Sequence, residues 1–153
     1  MGQPPEMQEM QQQIQALEEE KQELEAQIEE LRQEQTEMDE AIEALDTLET
    51  GSIVQVPLGG GAYVRAEVED IDEVIVSLGG GYAAEHEQDD AVDTLEDKKD
   101  AVDNRISEVQ EEISEVEEET AELEQKAQQM QQQQMQMMQQ QMGQMQGDEG
   151  DDE

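Results

Sequence analysis

The least ordinary side-chain chemistry in this chain belongs to its ten thioethers and its single imidazole. Six of the thioethers lie together in MQQQQMQMMQQQMGQMQ, which runs from Met130 to Gln146. Thioether sulfur is soft, so one chemistry open to such a run is Cu(I) ligation. The other is adaptable apolar contact, because the methionine side chain is unbranched and polarizable and surfaces rich in it can repack around varied partners. The run contains no acid, so a molecule that touches it would bury no carboxylate. His86 is the only histidine and there is no cysteine. A His-based triad, a Cys nucleophile or a multi-His metal site cannot be built from that inventory, and the carboxylates lack EF-hand spacing. No enzyme, no cofactor and no metal site is expected. His86 is expected at the surface or as a helix cap.

Two glycine triplets, Gly59-Gly60-Gly61 and Gly79-Gly80-Gly81, raise phosphate binding as a further chemistry. A phosphate cradle needs its glycines to lead into a helix N-terminus, usually with a lysine. Both triplets lead instead into alternating, strand-like residues without a lysine. They read as tight hairpin turns.

The elements that must position these residues have an unusual composition. Seven Lys and Arg against 44 Asp and Glu leave a net charge of −37, and Tyr63 and Tyr82 are the only aromatics. Nucleic acid and anionic membranes would repel such a chain. A disordered acidic chain, a DNA mimic and a salt-adapted protein all fit the charge. Salt adaptation is favoured, because the acid is spread along the chain over a surviving apolar periodicity, and molar salt shortens the Debye length to ~3 Å. No apolar run approaches the ~20 residues of a membrane span. The start, MGQPPEMQEMQQQ, resembles neither a signal peptide nor, with Glu6 where Ser or Thr is required, a myristoylation site. A cytoplasmic protein is expected.

With Ile14 at heptad position a, that position holds Met7, Ile14, Lys21, Ile28, Gln35 and Ile42, and position d holds Met10, Leu17, Leu24, Leu31, Met38 and Leu45. All but Lys21 and Gln35 are apolar, which predicts a coiled-coil helix of roughly 60 Å at ~1.5 Å per residue. Pro4 and Pro5 mark its start and Gly51 its end. The second half repeats the pattern, with Val92, Lys99, Ile106, Ile113, Thr120 and Ala127 at a, and Leu95, Val102, Val109, Val116, Leu123 and Met130 at d. Separate intermolecular coiled coils would satisfy these heptads. An antiparallel hairpin within one chain accounts better for two stretches of equal length around one middle segment. Its register, to within a heptad, sets Leu45 against Val92, Ile28 against Val109 and Met7 against Met130. Arg32 then lies near Asp103 and Glu34 near Arg105, while Glu18–Glu117 and Glu20–Glu119 repel.

In the middle segment the period falls to two. Val54, Val56 and Leu58 alternate, then Ala62, Val64, Ala66 and Val68, then Val74, Val76 and Leu78, with Tyr82–Glu85 a fourth strand. LGGGAY and LGGGY recur twenty residues apart, which predicts two β-hairpins. Isolated hairpins are marginal and their edges invite pairing. Val54, Val56, Leu58, Val64, Val68, Val74, Val76 and Leu78 are therefore expected to serve oligomerisation. The expected fold class is α+β: a long antiparallel coiled coil with two central hairpins that complete an intersubunit β-barrel. Its parts are an N-terminal helix over 1–50, hairpins over 51–86, a C-terminal helix over 87–140 and a flexible acidic tail over 141–153.

Long helix, two glycine-turn hairpins, long helix resembles the α-type subunits of archaeal prefoldin, in a haloarchaeal version. The resemblance covers residues from about 7 to 130, and its specific part is VPLGGGAYVRAEVEDIDEVIVSLGGGYAAE. It implies a hexamer of two α and four β subunits, a double β-barrel body and hanging coiled coils. It implies capture of unfolded proteins between the coiled-coil tips without ATP, and delivery to a group II chaperonin. An antiparallel hairpin brings the chain ends together, so Met1, Met7, Met10, Met130, Met135, Met137, Met138, Met142 and Met145 form the candidate client-binding set. Met7, Met10 and Met130 also fit the seam as core. The other function class that fits is a coiled-coil scaffold or adaptor that binds no clients.

Overall fold

The computed structural model describes residues 4–148, with side chains from 4 to 145. Two long helices flank two two-stranded antiparallel sheets in the order α1 (Pro5–Thr47), β1 (Ile53–Gly59), β2 (Ala62–Glu67), β3 (Val74–Gly79), β4 (Tyr82–His86) and α2 (Gln88–Asp148). The architecture is α+β, as the two periods in the sequence predict.

Helix α1 starts where its chemistry requires. The Pro4 carbonyl accepts from the Met7 and Gln8 amides at 3.0 and 3.2 Å. Pro5 takes the first helical position, where a missing N–H is harmless. Down the helix, the a and d positions are buried or half-buried, and most other positions are exposed. Helix α2 shows the same stripe from Val92 to Met130. The amphipathic face, rather than intrinsic propensity, is what holds helices this acidic.

Contacts divide the chain into two units. The first is Ile28–Glu108. Its core is Leu45, Val76 and Ala91, with Ile71, Val74, Val92 and Leu95 packed around it. One face of β3 thus lies on the helix pair. The Gln88 side chain closes the end of α1, its Nε2 donating to the Leu45 carbonyl and, at 3.0 Å, to the Leu48 carbonyl. Asp72 accepts from the Gln88 amide at 3.4 Å and so caps α2. An Asx turn, Asp72 N–H to Asp70 Oδ1 at 3.0 Å, shapes the link between the hairpins.

The hairpins share one construction. Gly60 and Gly61 have φ of 61° and 81°, and Gly80 and Gly81 have 61° and 82°. Two positive φ values at the turn centre are what a type I′ turn demands. The ladder slips between Pro57 and Gly59 and again between Ser77 and Gly79, so Leu58 and Leu78 are bulged. Glycine is required here for backbone conformation, and both triplets lead into strands, β2 and β4, where a phosphate cradle would lead into a helix.

Three polar residues on the seam, Lys21, Gln35 and Lys99, find partners on the opposite helix, while Thr120 donates to the Val116 carbonyl of its own helix at 2.8 Å. Lys99 Nζ meets Asp39 at 2.6 Å. Gln35 Nε2 donates to the Lys99 carbonyl at 3.3 Å and to Asp103 at 2.5 Å. In the second unit, which joins the chain up to Gln27 with the chain from Val109 onward, Lys21 Nζ meets Glu117 at 3.3 Å. These pairs agree with the expected register. The expected ion pairs are different. Asp103 takes Gln35 rather than Arg32, and Arg105 pairs at 3.1 Å with Glu108 on its own helix, where a residue three positions on is a surface neighbour. Glu117, expected to repel Glu18, is neutralised by Lys21.

His86 is neither exposed nor a cap. It is half-buried and ends β4 opposite Val74, and its Nε2 is buried without a hydrogen-bond partner. Capping falls to Asp72 instead.

Helix α2 runs to Asp148, across the start of the stretch assigned from sequence to a tail. Gln and Met are good helix formers, and one interior glycine, Gly143, costs only about 1 kcal/mol. The acidic end beyond Asp148 lies outside the described residues.

Candidate functional site

Among the described residues, every exposed large apolar side chain falls in one of two segments. The first is the hairpin pair, with Ile53, Val56, Leu58, Tyr63, Val64, Ile75, Leu78 and Tyr82. The second is the end of α2, with Met135, Met137, Met138, Met142 and Met145. Both segments keep their side chains exposed for a geometric reason.

In the hairpins, the reason is that two strands cannot cover two apolar faces. Val76 is 5% exposed and Ile75, its neighbour on the other face, is 71% exposed. The two sheets share no strand and each has only its own two strands, so their outer edges are unpaired. The expected oligomerisation residues therefore separate. Val56, Leu58, Val64 and Leu78 are exposed, Val54 and Val68 are half-buried, and Val74 and Val76 pack inside the chain. The sequence reading omits Ile53, Tyr63, Ile75 and Tyr82. Val74-Ile75-Val76, an uninterrupted apolar triplet, is the signal that both faces of that strand want cover. An open apolar groove also runs between β3 and the helices, lined by Ala41, Ala44, Leu48 and Ile75 among others. Lys98 closes one side, donating to the Ser77 carbonyl at 2.7 Å.

At the end of α2, the reason is a lack of partner helix. Lys21 lies opposite Glu117, so in an antiparallel pair Pro5 comes level with about Gln133. Beyond that point no described residue of α1 remains to pair. The phase of the stripe changes as well. Continuing the seam would select Gln134, Met137, Gln141 and Gln144, yet Met135, Met138, Met142 and Met145 stand three and four residues apart. They form one line displaced by one residue, about 100° around the helix. Four of the five exposed sulfurs thus share a face, and shallow surface grooves line it, formed with Gln131, Gln134, Gln141 and Gln144.

The candidate client-binding methionines divide accordingly. Met7 is 4% exposed and is core. Met10 and Met130 are half-buried on the seam. The five beyond are 65–78% exposed. Met1 lies outside the described residues.

The methionine run carries no charge, whereas in the hairpins Glu67 stands opposite Ile53 and Glu85 opposite Ile75. Lys21 and Lys99 titrate above the ordinary lysine value of 10.5, chiefly through side-chain hydrogen bonds to Glu117 and Asp39. Among the described residues no helix is long and apolar enough to cross a membrane, and no cluster of three His, Cys, Asp or Glu side chains could hold a metal ion.

The family model described as "Prefoldin subunit" matches residues 17–133. The chain is 73% identical over 56 residues to a "Prefoldin subunit alpha" of Haloarcula marismortui, a match that covers 37% of this chain and 36% of that one. The aligned stretch thus spans about a third of that relative's length. Among solved structures, a chain of filamentous PFD from Methanocaldococcus jannaschii aligns with a TM-score of 0.50 at 31% identity, covering 76% of this chain and 93% of that one. A prefoldin β subunit from Thermococcus strain KS-1 aligns with a TM-score of 0.53, covering 82% and 91%, at 19% identity, which speaks to the fold alone.

Proposed function

The chain belongs to the prefoldin family, and from that premise we propose that it is an α-type subunit of an ATP-independent chaperone that holds unfolded proteins. Two copies join four single-hairpin β subunits. The hairpins of all six close into a β-barrel body, and the ends of the helical hairpins grip clients. The complex works in the cytoplasm and passes clients to a group II chaperonin.

One observation supports both halves of this reading: among the described residues, every exposed large apolar side chain lies in the hairpins or at the end of α2. Unpaired edges and two-faced apolar strands call for neighbouring strands. A flexible thioether surface without carboxylates suits unfolded segments of varied shape. The division of labour follows, with residues 51–86 as the assembly body, 1–50 and 87–140 as the coiled-coil arms, and 141–153 as an acidic tail into which only Met142 and Met145 carry the grip.

The test has two steps. Native mass of the chain co-expressed with its single-hairpin partner in molar KCl is expected at two copies to four. A self-assembled coiled coil without the partner would support the scaffold reading instead. The purified complex is then added to a chemically unfolded protein diluted out of denaturant, and light scattering is followed. Suppression by the intact complex, lost on truncation after Gln129 with assembly retained, is the expected result. No suppression by the intact complex would overturn the function.

A further inference from the structure

We propose that Met135, Met137, Met138, Met142 and Met145 form a reversible oxidation site, at which peroxide converts the apolar end of α2 into a polar one and releases its hold on unfolded clients. The effect on clients rests on the function proposed above. The chemistry at the sulfurs stands on the structure.

The chain offers an oxidant no cysteine and ten methionines, so thioether sulfur is its only sulfur. Access then decides the order of reaction. Met7 is 4% exposed, and Met10, Met38 and Met130 are half-buried on the seam. The five at the end of α2 are 65–78% exposed and face neither a partner helix nor an acidic neighbour within the run. Hydrogen peroxide, the oxidant named here, has an unhindered approach to each of them. A sulfur lone pair attacks one peroxide oxygen, the O–O bond breaks, and an S=O bond forms. The departing hydroxide takes the proton of the transferred hydroxyl and leaves as water. Sulfur loses two electrons and peroxide gains them.

The product is a polar, chiral sulfoxide in place of a flexible apolar group. Four of the five sit in one line on one helix face, so their oxidation turns the whole stripe polar at once. A bound apolar client segment would then face four strong hydrogen-bond acceptors that it cannot satisfy. The coiled-coil core reacts last, because Met7 is buried and Met10, Met38 and Met130 are half-buried on the seam. Methionine sulfoxide reductases, one for each epimer, restore the thioether with a thiol reductant and release water.

The experiment uses the assembled complex in molar KCl. Hydrogen peroxide is dosed until peptide mass spectrometry finds sulfoxide at the five exposed positions, with Met7 and Met38 unmodified. Light scattering of a chemically unfolded protein is then followed with untreated complex, oxidised complex, oxidised complex after both reductases and dithiothreitol, and complex truncated after Gln129. The oxidised complex is expected to need about tenfold more protein for the same suppression, and the reductases to restore it. If the five sulfoxides form and suppression is unchanged while truncation abolishes it, the switch is overturned and the client reading stands. If truncation leaves suppression intact, the grip lies elsewhere and both fall. Oxidation of Met7 or Met38 before the five exposed methionines would overturn the site itself.

Discussion

Adjacent residues on β3 separate what holds the chain together from what holds the assembly together. Val76 is 5% exposed, packed in the cluster of Leu45 and Ala91. Val76→Ala removes two methyl-sized groups from that cluster. At ~0.8 kcal/mol each plus a cavity term, the loss is about 2 kcal/mol. For a chain of this size that lowers Tm by roughly 4–8 °C. Ile75 is 71% exposed in the isolated chain, so Ile75→Ala should change its stability by no more than ~0.5 kcal/mol. In the complex the order reverses in kind. Ile75 becomes buried if strands from other subunits cover that face, and its truncation then costs about 2–3 kcal/mol of assembly free energy per α subunit. The assay is paired: circular dichroism melts of the free chain in molar KCl, and dissociation of the complex followed by native mass. Val76→Ala should lower the melt of the free chain, whereas Ile75→Ala should leave it alone and weaken the complex. Equal melts for the two variants would refute the assignment of faces on β3. An Ile75→Ala complex as stable as the parent would refute the barrel.

Three further outcomes follow from the same geometry. Gly60→Val places a β-branched residue at φ of 61°, where strain costs about 1–3 kcal/mol. The yield of assembled complex should fall even though a Cβ at this position has open space. With a net charge of −37, helix content and assembled mass should drop as KCl is reduced from molar to millimolar; unchanged values at both ends would count against salt adaptation. Lys21 and Lys99 have pKa values raised above 10.5 by Glu117 and Asp39. Their pairing is therefore fully present below 10.5 and lost as pH rises through the raised values. A pH-melt profile should decline in that alkaline window, and Lys21→Met with Lys99→Met should flatten it.

Much of this was legible in the sequence because it rests on period and on backbone necessity. A heptad fixes which side of α1 and α2 is buried, and Lys21, Gln35, Lys99 and Thr120 interrupt it without erasing it. Glycine triplets fix the two turns, since few other residues accept three positive φ values in a row. What was not legible depends on phase or on distance. Val74-Ile75-Val76 is apolar on both faces, so alternation alone could not say which face meets the helices. Ion pairs between long side chains change with a one-residue shift, and Gln35 reached Asp103 where Arg32 was expected. The methionine run changes phase after Met130, and only the start of α1 at Pro5 shows that the displaced stripe has no partner helix within the described chain. Nothing near His86 in the sequence signals a half-buried strand end.

The most direct measurement of the central claim is where a client touches the chain. A photoreactive diazirine residue would be placed at position 138, on the exposed methionine stripe, or at position 111, on an exposed acidic face of α2. Each complex would be irradiated with a chemically unfolded client. Adducts from position 138 and none from position 111 are the outcome this account predicts. Adducts from 111 alone, or from both alike, would contradict it.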